Sequence, residues 1–125
     1  MGTIHGTVDS VQLVSGNPNG VGGYKVYLCE CSFGAYTSSD SMDIPSVAAT
    51  ISAHVRDGKT RALVAGVIPV RAHAGQDTNG QAVYAGTMTI SSDTLAGNLT
   101  DSAQTELTSV TACKGVGILV PVLET

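Results

Sequence analysis

The residues whose types and spacing could do chemistry gather between Ala53 and Thr60. Ala53-His54-Val55-Arg56-Asp57-Gly58-Lys59-Thr60 satisfies a permissive form of the phosphate-binding P-loop, in which backbone N–H groups cradle phosphate and a lysine reaches it. Such a loop follows a buried strand, relies on glycines to aim its N–H groups, and opens a helix. Here the loop itself is His-Val-Arg-Asp, with a branched side chain and an anion where phosphate would sit. Residues 61–70 read as strand and contain Pro69. The context argues against a nucleotide site.

Other chemistry is no better marked. Ser, Asp and His all occur, but no serine stands in a Gly-x-Ser-x-Gly elbow and no histidine has a recognisable partner in the sequence. Asp40 and Asp43 flank Met42, and Asp93 and Asp101 fall in loops; each reads as a turn or cap residue rather than half of a glycosidase pair. Cys29 and Cys31 share one face of a strand, where a disulfide is disfavoured. With Cys113 they read as reduced thiols acting as small hydrophobes. His5, His54 and His73 add no zinc-ligand spacing. No catalytic, cofactor-binding or metal residue is assigned, and an enzyme is not expected.

The elements around Ala53–Thr60 admit two readings. If Asp57-Gly58 is a two-residue turn, Arg56 lies opposite Lys59, Val55 opposite Thr60, Ala53 opposite Ala62 and Ile51 opposite Val64. Ile51, Ala53, Val55, Ala62 and Val64 then face a core, while Ser52, His54, Arg56, Lys59 and Arg61 face solvent. Against this, Val47, Ile51 and Val55 recur at helical spacing after a possible Asp43 or Ser46 cap, with Pro45 to open the first turn and Gly58 to end it. The reading adopted is the hairpin, with a short helical turn over Pro45–Ala49.

Along the rest of the chain, residues 3–8, 11–14, 24–29, 81–90, 107–113 and 116–123 read as strands. Residues 15–23 and 75–80 are dense in turn formers. In 81–90 the alternation places Ala82, Tyr84, Gly86, Met88 and Ile90 on one face. Residues 91–103 read as a loop tethered by Leu95 and Leu99, and Lys114-Gly115 as the turn between the last two strands. The run Val116–Leu123 is apolar on both faces, so it is either central to the core or covered by a neighbouring subunit. About seven or eight short strands and no strand–helix alternation predict an all-β fold, an antiparallel sandwich or barrel-like domain. The expected organisation is a single domain over 1–125 with an N-terminal arm at about 1–10.

Composition narrows function by exclusion. Only 13% of the 125 residues are charged, the net charge is −4 and no basic cluster exists. That argues against nucleic acid or an anionic membrane as partner. No apolar run reaches spanning length and no export signal opens the chain, so cytoplasmic synthesis is expected. Tryptophan is absent, which weakens a sugar-stacking site. A surface of Ser, Thr and Gly suits a chain packed against neighbours.

The segment Phe33-Gly34-Ala35-Tyr36-Thr37-Ser38-Ser39-Asp40-Ser41-Met42-Asp43-Ile44, with the following Asp57-Gly58-Lys59-Thr60 turn and the apolar strand Val116–Val122, resembles small head proteins of tailed bacteriophages. It departs from them at Ser38-Ser39-Asp40, where glycines are frequent. The resemblance spans residues 24–123. It implies a virion structural protein without cofactor: a decoration or cement protein on the capsid exterior, assembled in the host cytoplasm. Its partner would be the major capsid protein, and it would act as a homo-oligomer, with a trimer favoured. The contact elements expected are Met1–Val8, with Thr3 and Ile4; the loop 15–23, with Asn17 and Asn19; and the terminal strand, with Ile118. The alternative is a carbohydrate-binding β module, lectin-like or a tail adhesin, and a small hydrolase is a third reading.

Overall fold

The computed structural model describes residues 2–15, 23–64, 66–86 and 88–125. In chain order the strands are β1 (Thr3–His5), β2 (Thr7–Ser15), β3 (Gly23–Phe33), β4 (Tyr36–Thr37) and β5 (Ser41–Ile44). The helix α1 (Val47–Val55) follows, then β6 (Arg61–Leu63), β7 (Val70–His73), β8 (Gly75–Asp77), β9 (Ala82–Ala85) and β10 (Thr89–Ser91). The last four are β11 (Thr94–Gly97), β12 (Leu99–Thr100), β13 (Ser109–Val110) and β14 (Cys113–Glu124). The fold is all-β and sandwich-like, with sheets packed on one another and one short helix. Its strands are more numerous than expected, many of them two to four residues long, while β2, β3 and β14 run longer than the ranges read from the sequence.

The large sheet has the order β12-β9-β8-β14-β3-β2, with β6 and β7 also joined to β14. A second sheet runs β1-β5-β11-β10, and β13 pairs with β4. All pairings are antiparallel except β1 with β5, which is parallel in the register Thr3↔Ser41. The strand read as apolar on both faces, β14, is the centre of the large sheet. It pairs with β3 along one side and with β6, β7 and β8 in turn along the other.

Alternation assigns the faces. Tyr27, Cys29, Cys31 and Phe33 of β3, with Val116, Ile118, Val120 and Val122 of β14, are buried in the core. Met42, Ile44, Val47, Ile51, Leu95 and Leu99 meet them there. Lys114-Gly115 is not a turn between strands: β14 passes through it with a register shift between Cys113 and Val116, and Gly115 takes φ 80°. This bulge lets one continuous strand keep Val116 and Ile118 inward.

The adopted hairpin is overturned. Residues 47–55 are helical, and β6 pairs with β14 rather than folding back on residues 51–55. Two physical terms favour the helix. Val47, Ala48 and Ile51 bury one stripe, and alanines are good helix formers. The helix start is satisfied from a distance: Asp93 accepts Val47 N through its backbone oxygen at 3.0 Å and Ala48 N through Oδ1 at 2.7 Å. Asp57-Gly58 is still a turn, with Lys59 N bonded to Asp57 Oδ1 at 3.1 Å and Gly58 at φ 77°. It ends a helix instead of joining two strands. Gly58-Lys59-Thr60 therefore follows a helix and enters a strand, the reverse of a P-loop.

Three smaller readings also change. The alternation read over 81–90 holds only within β9, where Val83 and Ala85 are the buried pair, and the chain leaves that sheet before β10. Residues 91–103 form β11 and β12, with Leu95 and Leu99 buried as the tethers expected. Residues read as an arm supply β1 and the start of β2, woven into two different sheets.

Candidate interaction surface

Two clusters of polar side chains are built on the same central strands, one on each face. On the inner face, Lys25 precedes Tyr27 in the alternation of β3, and Glu124 follows Val122 in β14, so both charges are carried inward. Glu124 Oε1 accepts from Lys25 Nζ at 2.5 Å, and Oε2 accepts from Tyr27 Oη at 2.6 Å and Arg61 Nε at 2.7 Å. Arg61 also donates from Nη1 and Nη2 to the two oxygens of Asp57, at 3.0 and 2.6 Å, and from Nη1 to Ser52 Oγ at 3.3 Å. The Glu124 and Arg61 side chains are fully buried.

The electrostatics follow from these contacts. Burial alone would raise the Glu124 carboxyl, but the bonds from Lys25 and Tyr27 and the charge of Arg61 outweigh it and hold the group below its ordinary range. Asp57 is lowered to about 2, chiefly by its bond to Arg61. Lys25 is raised by its bond to Glu124. Both Glu124 oxygens are engaged by protein donors, and Arg61 spreads its donors over Asp57, Glu124, Ser52 and Tyr27. This arrangement clasps the end of β14 to β3 and β6; it offers a substrate nothing.

The three thiols are buried as well, unpaired with one another. Burial pushes Cys29 up to about 12 and Cys113 to about 11, and Cys31 also upward. They are small hydrophobes rather than nucleophiles.

The outer face of the same strands differs. Tyr24, Val26 and Leu28 of β3 stand beside Leu119, Pro121 and Leu123 of β14, with Val70 of β7 across from Leu119. All are at least partly open to solvent, and Tyr24 is 71% exposed, Val70 57% and Leu123 37%. Val67 and Ile68, also exposed, precede β7. A sheet face this apolar, with solvent on it, is the surface type that marks protein contacts.

At one end of that face runs a polar row. Ser10 Oγ donates to Glu30 Oε1 at 2.9 Å, and Glu30 Oε2 lies 3.3 Å from His73 Nε2. Gly117 separates Glu30 from His73 in register, and a Cβ there would lie 2.5 Å from Nε2, so the imidazole packs over the bare backbone of this glycine. The row borders a shallow cavity of about 440 Å³ that Gln76 and Lys114 also line. The carboxylate is in the middle, so Ser10 has no bond to the imidazole and the row is not a nucleophile–base pair. Elsewhere His5 Nδ1 lies 2.5 Å from Asp43 Oδ1. Among the described residues no three His, Cys, Asp or Glu side chains converge as a metal cage.

The sequence-derived contact residues scatter. Thr3 is exposed and Ile4 half-buried on β1, away from the large sheet. Ile118 is fully buried in the core, so it is not a contact residue; its neighbour Leu119 points outward. Asn17 and Asn19 lie outside the described residues, with most of the loop 15–23. Sequence reading missed Lys25, Arg61 and Glu124, although Lys25 and Glu124 fall in step with buried neighbours and that parity was a usable signal. It missed the Glu30–His73 pair because the two meet only through β14.

No protein-family model, no characterised protein and no solved structure matches this chain.

Proposed function

We propose that this chain is a non-enzymatic structural domain of a virion, a decoration or cement protein that binds the assembled major capsid protein lattice. The observation that supports the reading is the apolar outer face of β3 and β14. A strand with apolar residues on both faces is used once for the core and leaves its second face for another chain. Burial of such a face against a shell stabilises the shell, because a ligand that binds the assembled state but not its parts shifts the equilibrium toward assembly. Repeated copies on a lattice then turn modest contacts into strong retention through effective concentration. The resemblance of Phe33–Ile44 to phage head proteins supplies the kind of lattice.

The test is co-sedimentation of the purified chain with empty, expanded shells of the major capsid protein from the same genome. Saturable binding, and greater resistance of the shells to heat or osmotic shock on addition of the chain, is the expected result. Failure to bind any form of the shell would remove the proposal. Tyr24 is then the observation that favours a carbohydrate-binding module: an exposed ring beside an apolar face can stack a sugar. A glycan array reads that outcome directly.

A further inference from the structure

We propose that Lys25 and Glu124 condense after folding into an intramolecular isopeptide bond, an amide between Lys25 Nζ and Glu124 Cδ. It would tie β3 covalently to the end of β14. Nζ lies 2.5 Å from Glu124 Oε1, and the two side chains are 3% and 0% exposed. That contact puts the nitrogen roughly 3–3.5 Å from the carboxyl carbon, the separation of reacting atoms poised to meet. The other oxygen, Oε2, accepts from Tyr27 Oη at 2.6 Å and from Arg61 Nε at 2.7 Å. Two donors on one carboxyl oxygen, one of them cationic, form the arrangement that stabilises the oxyanion of acyl transfer.

The step balances without a co-reactant. The Lys25 ammonium passes a proton to Oε1, and burial narrows the gap between the ion pair and the neutral amine–acid pair. The freed amine attacks Cδ, and the electron pair displaced onto Oε2 is held by Arg61 and Tyr27. The nitrogen then passes a second proton to the Oε1 hydroxyl. The Cδ–Oε1 bond breaks, Oε1 leaves as water, and Oε2 remains as the amide oxygen. Exclusion of solvent from the core opposes hydrolysis of the product. Lys59 Nζ, 3.8 Å from the same oxygen, is the competing amine. The ion pair described above is the reactant, so the acid response of Glu124 belongs to the chain before the bond forms. The inference does not rest on the capsid reading, because it concerns the isolated chain.

The test is the intact mass of the purified full chain, denatured after incubation at neutral pH. The wild type should fall short of its sequence mass by one water. Lys25→Arg should not, because a guanidinium keeps the charge without a nucleophilic amine. Tryptic digestion of the wild type should yield a branched peptide in which the segment ending at Arg56 carries Gly115–Thr125. Tyr27→Phe, which removes one donor from Oε2, should form the bond more slowly. A wild-type chain at its full sequence mass overturns the proposal, whether or not any variant folds. So does a mass loss that survives in Lys25→Arg, which would mark dehydration elsewhere, as at Asp57-Gly58. A branched peptide joined through Lys59 instead of Lys25 would overturn it as well.

Discussion

Lys25 and Glu30 lie on the same strand and meet opposite fates. Alternation sends Lys25 into the core, where it bonds Glu124, which Tyr27 and Arg61 also bond, and sends Glu30 outward to Ser10 and His73. The chemistry is alike, a carboxylate beside nitrogen and hydroxyl groups, but the solvent is not. Inside, the desolvation cost of each charge is offset only while every partner stays in place. Outside, water screens the pair, which adds little to stability. The inner cluster therefore serves the fold, and the outer one is available for function.

The largest effect that would break this comparison is the loss of Glu124. Glu124→Ala removes the carboxylate that holds buried Lys25 and leaves Arg61 only Asp57, and should cost about 3–5 kcal/mol in urea unfolding. Glu30→Ala should cost no more than about 0.5 kcal/mol. Equal costs would erase the distinction between the faces. Next comes the apolar pair: Ile118→Ala should cost about 2–5 kcal/mol, and outward Leu119→Ala roughly half as much or less.

Acid sharpens the contrast. The carboxyls of Asp57 and Glu124 lie below their ordinary values in the folded chain, so the unfolded chain binds more protons as pH falls. The stability they contribute is complete above the unfolded carboxylate range of ~4–4.5 and is lost as pH falls toward the folded value, about 2 for Asp57. Unfolding midpoints measured from pH 6 down to about 2 should decline in the wild type and decline less steeply in Glu124→Gln. The smallest effect concerns the turn. Gly58 sits at φ 77°, so Gly58→Val should cost ~1 kcal/mol, read as a shift in the unfolding midpoint.

What was legible in the sequence was whatever neighbours in sequence decide. Branched and aromatic residues in 24–29 and the apolar run 116–123 marked two strands, and of the two places open to a run apolar on both faces, the core or a neighbouring subunit, β14 takes the middle of the large sheet. Phe33, Tyr36, Met42 and Ile44, the large apolar residues that punctuate an otherwise polar stretch, are all buried. What failed depended on distant partners. Residues 47–55 carry patterns for strand and helix alike, and the choice is weighted by Asp93, far along the chain, which satisfies the helix start. Arg61 was placed on a solvent face because its partners Glu124 and Tyr27 are brought in by other strands. The outer-face pair escaped for the same reason: no spacing rule links Glu30 to His73, only the register of both on Gly117.

The measurement that bears most directly on the outer face as a contact surface compares shell binding with thermal stability in Tyr24→Ser and Val70→Lys. Both side chains are more than half exposed, so the melting temperature should move by no more than a few degrees, the shift expected from about 0.5 kcal/mol. Binding to capsid shells should weaken about 30-fold or more, as for central contact residues worth at least ~2 kcal/mol. Unchanged binding by both folded variants would contradict the account and move the contact surface elsewhere on the chain.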